Sequence, residues 1–199
     1  MVFSATIVAT VLAYTWWLEP ITPRWTAALA ACVVLGIAIA RALKTREWGV
    51  ARSQFVPALR PAVIFTAIAS AAVVAIGLRR GTWHARPSIG IDFAALVPWA
   101  LGQQFALHTV LLREAQTTTT RAAGVVIAAL LFAALHLPNA FLAASTLAAA
   151  LAWCRIYDRH PNLLPLALSH AALTLVVLCA FDDSVTGRLR VGVSYLSLR

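Results

Sequence analysis

The stretch LLPLALSHAALTLVVLCAF, residues 163–181, contains no charged side chain. As a helix it is about long enough to cross the hydrocarbon core of a bilayer. Working back from it, similar apolar runs cover residues 2–18, 25–43, 62–78, 93–112 and 122–137, with a shorter one at 140–153. The whole chain shares this bias, with 61% hydrophobic against 12% charged residues and a mean hydropathy of +0.83. Soluble domains run at about 45–50% apolar and about 25% charged. A soluble enzyme, a disordered regulator and a secreted disulfide scaffold are thereby excluded. The runs are unbroken rather than alternating, which excludes a β-barrel. The expectation is an all-α protein, a polytopic transmembrane bundle of about six to seven helices. It reads as a single transmembrane domain over 1–199, with motif-free spans in 1–92, a motif-bearing core in 93–181 and a weakly ordered polar tail in 182–199.

The chain has 16 Lys and Arg against 7 Asp and Glu, and every basic residue except Lys44 is arginine. They cluster between the apolar runs (Arg41, Lys44, Arg46, Arg52 and Arg60; Arg79, Arg80 and Arg86), where basic residues flank membrane spans. The implied partner is the lipid bilayer, not nucleic acid. The basic connection 44–60 follows an even number of spans, so a cytoplasmic N-terminus is expected. Residues 44–60, with Pro57 and nearby Pro61, read as a broken stretch, 79–92 as an interfacial loop, 113–121 as a connection and 155–162 as a polar turn. Pro138 is expected to end or kink its helix. Trp16, Trp17, Trp153 and Tyr157 read as interface anchors, Phe105 and Phe132 as packing residues, and His84 and His160 as solvated. Cys32, Cys154 and Cys179 show no metal-ligand spacing. Met1 leads directly into an apolar run, which reads as a retained span rather than a signal peptide.

Polar side chains inside such spans are costly and mark function by default. They are few here. Gln103, Gln104, His108 and Thr109 lie in the fourth run, His136, Pro138 and Asn139 at the end of the fifth, and Ser169, His170 and Thr174 in the last. The four-residue spacing of Gln104 and His108, and of His170 and Thr174, puts each pair on one helical face. One histidine alone would read as a satisfied core residue. Three on different helices, joined by amides and hydroxyls, point to a clustered site.

The order of these motifs resembles the CPBP family of intramembrane proteases, also called the Abi or CAAX-protease-and-bacteriocin-processing family. That family has Glu-Glu-x-x-x-Arg on one helix, Phe-x-x-x-His on the next and a His-x-x-x-Asn-type motif near the end. Phe132-Ala-Ala-Leu-His136-Leu-Pro-Asn139 is similar to the second motif. Asn162-Leu-Leu-Pro-Leu leading to Ser169-His170 is similar to the approach to the third. Gln103-Gln104-Phe-Ala-Leu-His108 aligns with the first, and the resemblance spans about residues 93–180. It implies an integral membrane endopeptidase, in a bacterial inner (cytoplasmic) membrane, that cleaves a membrane-embedded or lipidated peptide. The catalytic set it implies is Gln103, Gln104, His136, Asn139 and His170.

Three departures bear on mechanism. Glutamines replace both glutamates, His108 replaces the arginine and Thr174 replaces the asparagine. Glutamine does not ionise, so Gln103 and Gln104 cannot act as general bases. All seven acids fall in loops or at span ends. One expectation is that His108, His136 and His170 hold zinc or another divalent transition metal, whose bound water needs no carboxylate base. The alternative is an inactive relative that binds a prenyl group, another lipid or a partner helix, since Gln preserves the shape of Glu without its charge.

Overall fold

The computed structural model describes residues 1–198. Among these, the chain forms nine helices: α1 Val2–Ile21, α2 Thr26–Thr45, α3 Phe55–Arg80, α4 Ile89–Thr118, α5 Arg121–Ala134, α6 Ala140–Arg159, α7 Leu163–Ala180, α8 Asp183–Thr186 and α9 Gly192–Leu196. Six of them are long and apolar enough to cross a membrane, and α5 is a shorter apolar helix. Large apolar side chains such as Leu29, Val33, Val63 and Ile68 lie on their outer surfaces. In water such surfaces would be unfavourable, whereas lipid accommodates them. The protein is an all-α integral membrane protein.

Several boundaries differ from the sequence expectation. Helix α3 starts at Phe55 rather than near residue 62, taking Pro57 and Pro61 into its first turns. Pro57 falls among the first four residues, whose N–H groups have no helical acceptor in any case. Helix α4 starts at Ile89 and continues to Thr118, absorbing parts of both adjoining connections. Helix α6 runs to Arg159, so most of the expected polar turn 155–162 is helical. Helix α5 ends at Ala134, ahead of Pro138, and its N-cap Thr120 accepts from the Ala123 N–H.

The described chain divides into two compact units. The first contains 1–48, 105–154 and 189–198: α1, α2, the second part of α4, α5, most of α6 and α9. Its interior includes Leu107, Val110, Leu111, Leu112, Ala128 and Ala129, with Trp153 2% exposed and therefore not an interface anchor. Trp48 stacks on Phe105 at 6.5 Å between ring centroids. Glu47 accepts from Arg113 Nε and lies 3.5 Å from the buried Arg41 guanidinium. Glu114 caps α1 from a distance in sequence, accepting from Ser4 N at 2.8 Å and Phe3 N at 3.3 Å. A carboxylate beside free N–H groups at a helix start is stabilised by hydrogen bonds and by the helix dipole.

The tail, expected to be weakly ordered, is folded over its described residues, 182–198. Gly192 N donates to Leu137 O at 2.9 Å. Gly192 has a left-handed φ of 58°, and an added Cβ would strike the Thr15 carbonyl oxygen. Both requirements favour glycine.

The second unit contains 49–104 and 155–188: α3, the first part of α4, the end of α6, α7 and α8. Helices α3 and α7 form its main pair. They approach closely at Gly77, where a Cβ would lie 2.8 Å from Ala180 O. Small residues permit such approaches in membrane helix pairs. Thr82 Oγ1 donates to Ala180 O at 2.6 Å, and His84 N to Cys179 O at 2.9 Å. At the other end, Asn162 caps α7 by accepting from Leu164 N at 3.0 Å, while its Nδ2 donates to Ala51 O at 3.0 Å. Tyr157 is 0% exposed, so it is a core residue of this unit and not an interface anchor.

Candidate functional site

The motif residues fall in both units. In the second, Gln104 and His170 meet. Gln104 is 0% exposed and His170 9%, and Gln104 Nε2 lies 3.2 Å from His170 Nδ1. An amide N–H donating to Nδ1 leaves the proton of a neutral imidazole on Nε2. His170 is held a second way, through its own helix. Its neighbour Ser169 accepts a 2.6 Å hydrogen bond from Thr66 Oγ1, which ties α7 to α3 beside the histidine. This Thr66–Ser169 bond was not legible in the sequence, because Thr66 lies 103 positions away in a run without a motif. Gln103 and Thr174 are half-buried.

In the first unit, His136 follows directly on α5. Its Nδ1 lies 2.7 Å from Phe132 O, and its ring meets the Phe132 ring edge-on at 4.9 Å. A carbonyl only accepts, so Nδ1 carries the proton and Nε2 keeps its lone pair. The Phe-x-x-x-His spacing is thus a local device in which one helical turn orients the imidazole and fixes its tautomer. Phe132 is buried at the same time, as expected of a packing residue.

Asn139 is 0% exposed. Its Oδ1 accepts from Leu142 N at 3.0 Å, which makes it the N-cap of α6. Its Nδ2 donates to Arg190 O at 3.1 Å, holding the tail. In this structure its carboxamide orders backbone on both sides. The capping role is readable from an Asn directly before an apolar helix; the Arg190 tether is not.

His108 is fully buried, in a π-helical stretch, Ala106–Leu112, all of whose residues are buried. Bonds in such a stretch span five residues, and π segments concentrate at functional sites. The step from Gln104 to His108 therefore passes from α-helical into π-helical backbone. Among the described residues, no three His, Cys, Asp or Glu side chains gather as a metal-binding group. Of the histidines read as solvated, His84 is exposed, whereas His160 Nδ1 lies 3.2 Å from Gln54 Oε1.

Residues 89–176 match the family model described as type II CAAX prenyl endopeptidase Rce1-like. The matched segment runs from the start of α4 into α7 and takes in Gln103, Gln104, His108, His136, Asn139 and His170. No curated protein and no solved structure gave a match. Over these residues this integral membrane protein is similar to the CAAX-protease-like family.

Proposed function

We propose, from the premise that residues 89–176 are Rce1-like, that this membrane protein binds a membrane-embedded or lipidated peptide without hydrolysing it. The observation that carries this reading is the buried Gln104–His170 hydrogen bond. Gln104 stands where the resembling family has a glutamate, and an amide takes no proton from water. With Nδ1 accepting from Gln104, the proton of a neutral His170 is on Nε2, so that nitrogen acts as a donor. Such a donor suits a peptide carbonyl and does not activate water. The setting, on this reading, is a bacterial inner membrane. The test uses the purified full-length protein in nanodiscs with a farnesylated peptide, read by mass spectrometry. The unmodified chain should retain the peptide uncut, and the double variant Gln103→Glu, Gln104→Glu should release product. Cleavage by the unmodified chain, abolished in His136→Ala, would overturn the proposal.

A second reading, an intramembrane endopeptidase, is favoured by the His136 tautomer, whose Nε2 lone pair is that of a general base. Zinc or another divalent metal is a further expectation of that reading. Elemental analysis of the purified protein tests it: stoichiometric metal, lost in His136→Ala, is the result it requires.

A further inference from the structure

Within the first unit, the turn between α1 and α2 and the tail helix α9 line a cavity of about 570 Å³. That volume lies within the range of small-ligand pockets, about 300–1,000 Å³. Its polar lining comprises Glu19, Thr22, Arg24, Arg190, Ser194 and Ser197, with the Tyr14 ring beside them. Charges of both signs therefore face one space. Among the described residues, Glu19, Arg24 and Arg190 enter no ion pair. Glu19 is half-buried at the cavity wall, and among the described residues it accepts no hydrogen bond. A carboxylate partly withdrawn from water gains from a donor.

The position of the cavity narrows its ligand. Helix α1 ends at Ile21 and α2 begins at Thr26, so this turn lies where two candidate spans leave the hydrocarbon. Trp17 and Trp25, 67% and 64% exposed, flank it as aromatic residues do at head-group depth. The molecules abundant at that depth are phospholipid head groups.

We propose that this cavity binds the head group of a zwitterionic phospholipid with a primary ammonium, of the phosphatidylethanolamine class. The phosphodiester faces Arg24 and Arg190, and the ammonium donates to Glu19. A choline head group has no N–H for the carboxylate, and a purely anionic head group would leave Glu19 facing like charge. The cavity wall is built rather than incidental. Asn139 holds the Arg190 carbonyl and Gly192 seats the tail against Thr15, so Arg190, Ser194 and Ser197 are presented from anchored backbone. This inference does not depend on whether the chain cleaves peptides.

The test is native mass spectrometry of the full-length protein in detergent, with phosphatidylethanolamine, phosphatidylcholine and phosphatidylglycerol in equal amounts. The ethanolamine lipid should be retained about tenfold over the other two, the equivalent of one charge-assisted hydrogen bond. Glu19→Gln should abolish its preference over the choline lipid, while Arg24→Ala and Arg190→Ala should each lower retention of all three. Thermal unfolding of each variant separates loss of the site from loss of the fold. Equal retention of the three lipids, preference for the glycerol lipid, or an ethanolamine preference intact in a folded Glu19→Gln protein would overturn the proposal.

Discussion

Asn139 is where chemistry and architecture are hardest to separate. Its residue type and its place three positions after His136 made it a member of a catalytic cluster by resemblance. In the fold, its Oδ1 caps α6 and its Nδ2 holds the carbonyl of Arg190. The two bonds can be tested separately. Asn139→Asp keeps the cap oxygen and removes the donor, whereas Asn139→Ala removes both. Loss of an N-cap costs about 1 kcal/mol, and a buried carbonyl left unsatisfied adds about 1–3 kcal/mol. Thermal unfolding in detergent should therefore rank the unmodified protein above Asp, and Asp above Ala. An alanine variant as stable as the original would refute the architectural role. Gln104 makes the complementary point. A glutamate there would fix a proton on His170 Nδ1, whereas the amide donates to that nitrogen. The residue type is plain in the sequence. Its direct hydrogen bond to a histidine 66 positions away is not.

Among the elements, the α3–α7 pair shows what hydropathy reads and what it misses. Both spans are legible as apolar runs, but nothing in those runs says which helix packs on which. Gly77 decides the approach locally, since a Cβ there would lie 2.8 Å from the Ala180 carbonyl oxygen. Gly77→Val should push the helices apart and strain the Thr82-to-Ala180 hydrogen bond. We expect a fall in thermal stability of about 1–3 kcal/mol, the range for overpacking, with amide exchange accelerating first in residues 77–84. Unchanged exchange there would show that the contact is not a determinant of the pair. The boundaries that differ share one cause. Prolines and polar residues predict breaks, yet Pro57 sits in the first turn of α3, where its missing N–H carries no penalty. Arg155, Asp158 and Arg159 likewise end α6 without stopping it. Charged residues at the end of a span can reach the interface while the backbone stays helical.

For the molecule as a whole, the first unit is assembled from chain ends as well as from its middle. Residues 1–48, 105–154 and 189–198 lie together in it. The tail contributes backbone partners to Leu137 and Asn139 and part of the wall of the charged cavity. Truncation after Arg188 should thus destabilise the first unit, with faster amide exchange in residues 136–142 and loss of the ethanolamine-lipid preference. A truncated protein with unchanged exchange there would make the tail dispensable. The sequence by itself determined that this is an all-α membrane protein, where its main spans lie, and that its first motif lacks both carboxylates. Those properties are local or additive: hydropathy sums along a run, and an amide cannot ionise wherever it is placed. Only the tertiary structure decided that Gln104 bonds His170, that Glu114 caps α1, that Trp153 and Tyr157 are buried, and that residues 189–198 of the polar tail are a folded part of the first unit. Each of these joins residues far apart in the chain, and such pairings are set by close packing and by the need of every buried polar group for a partner.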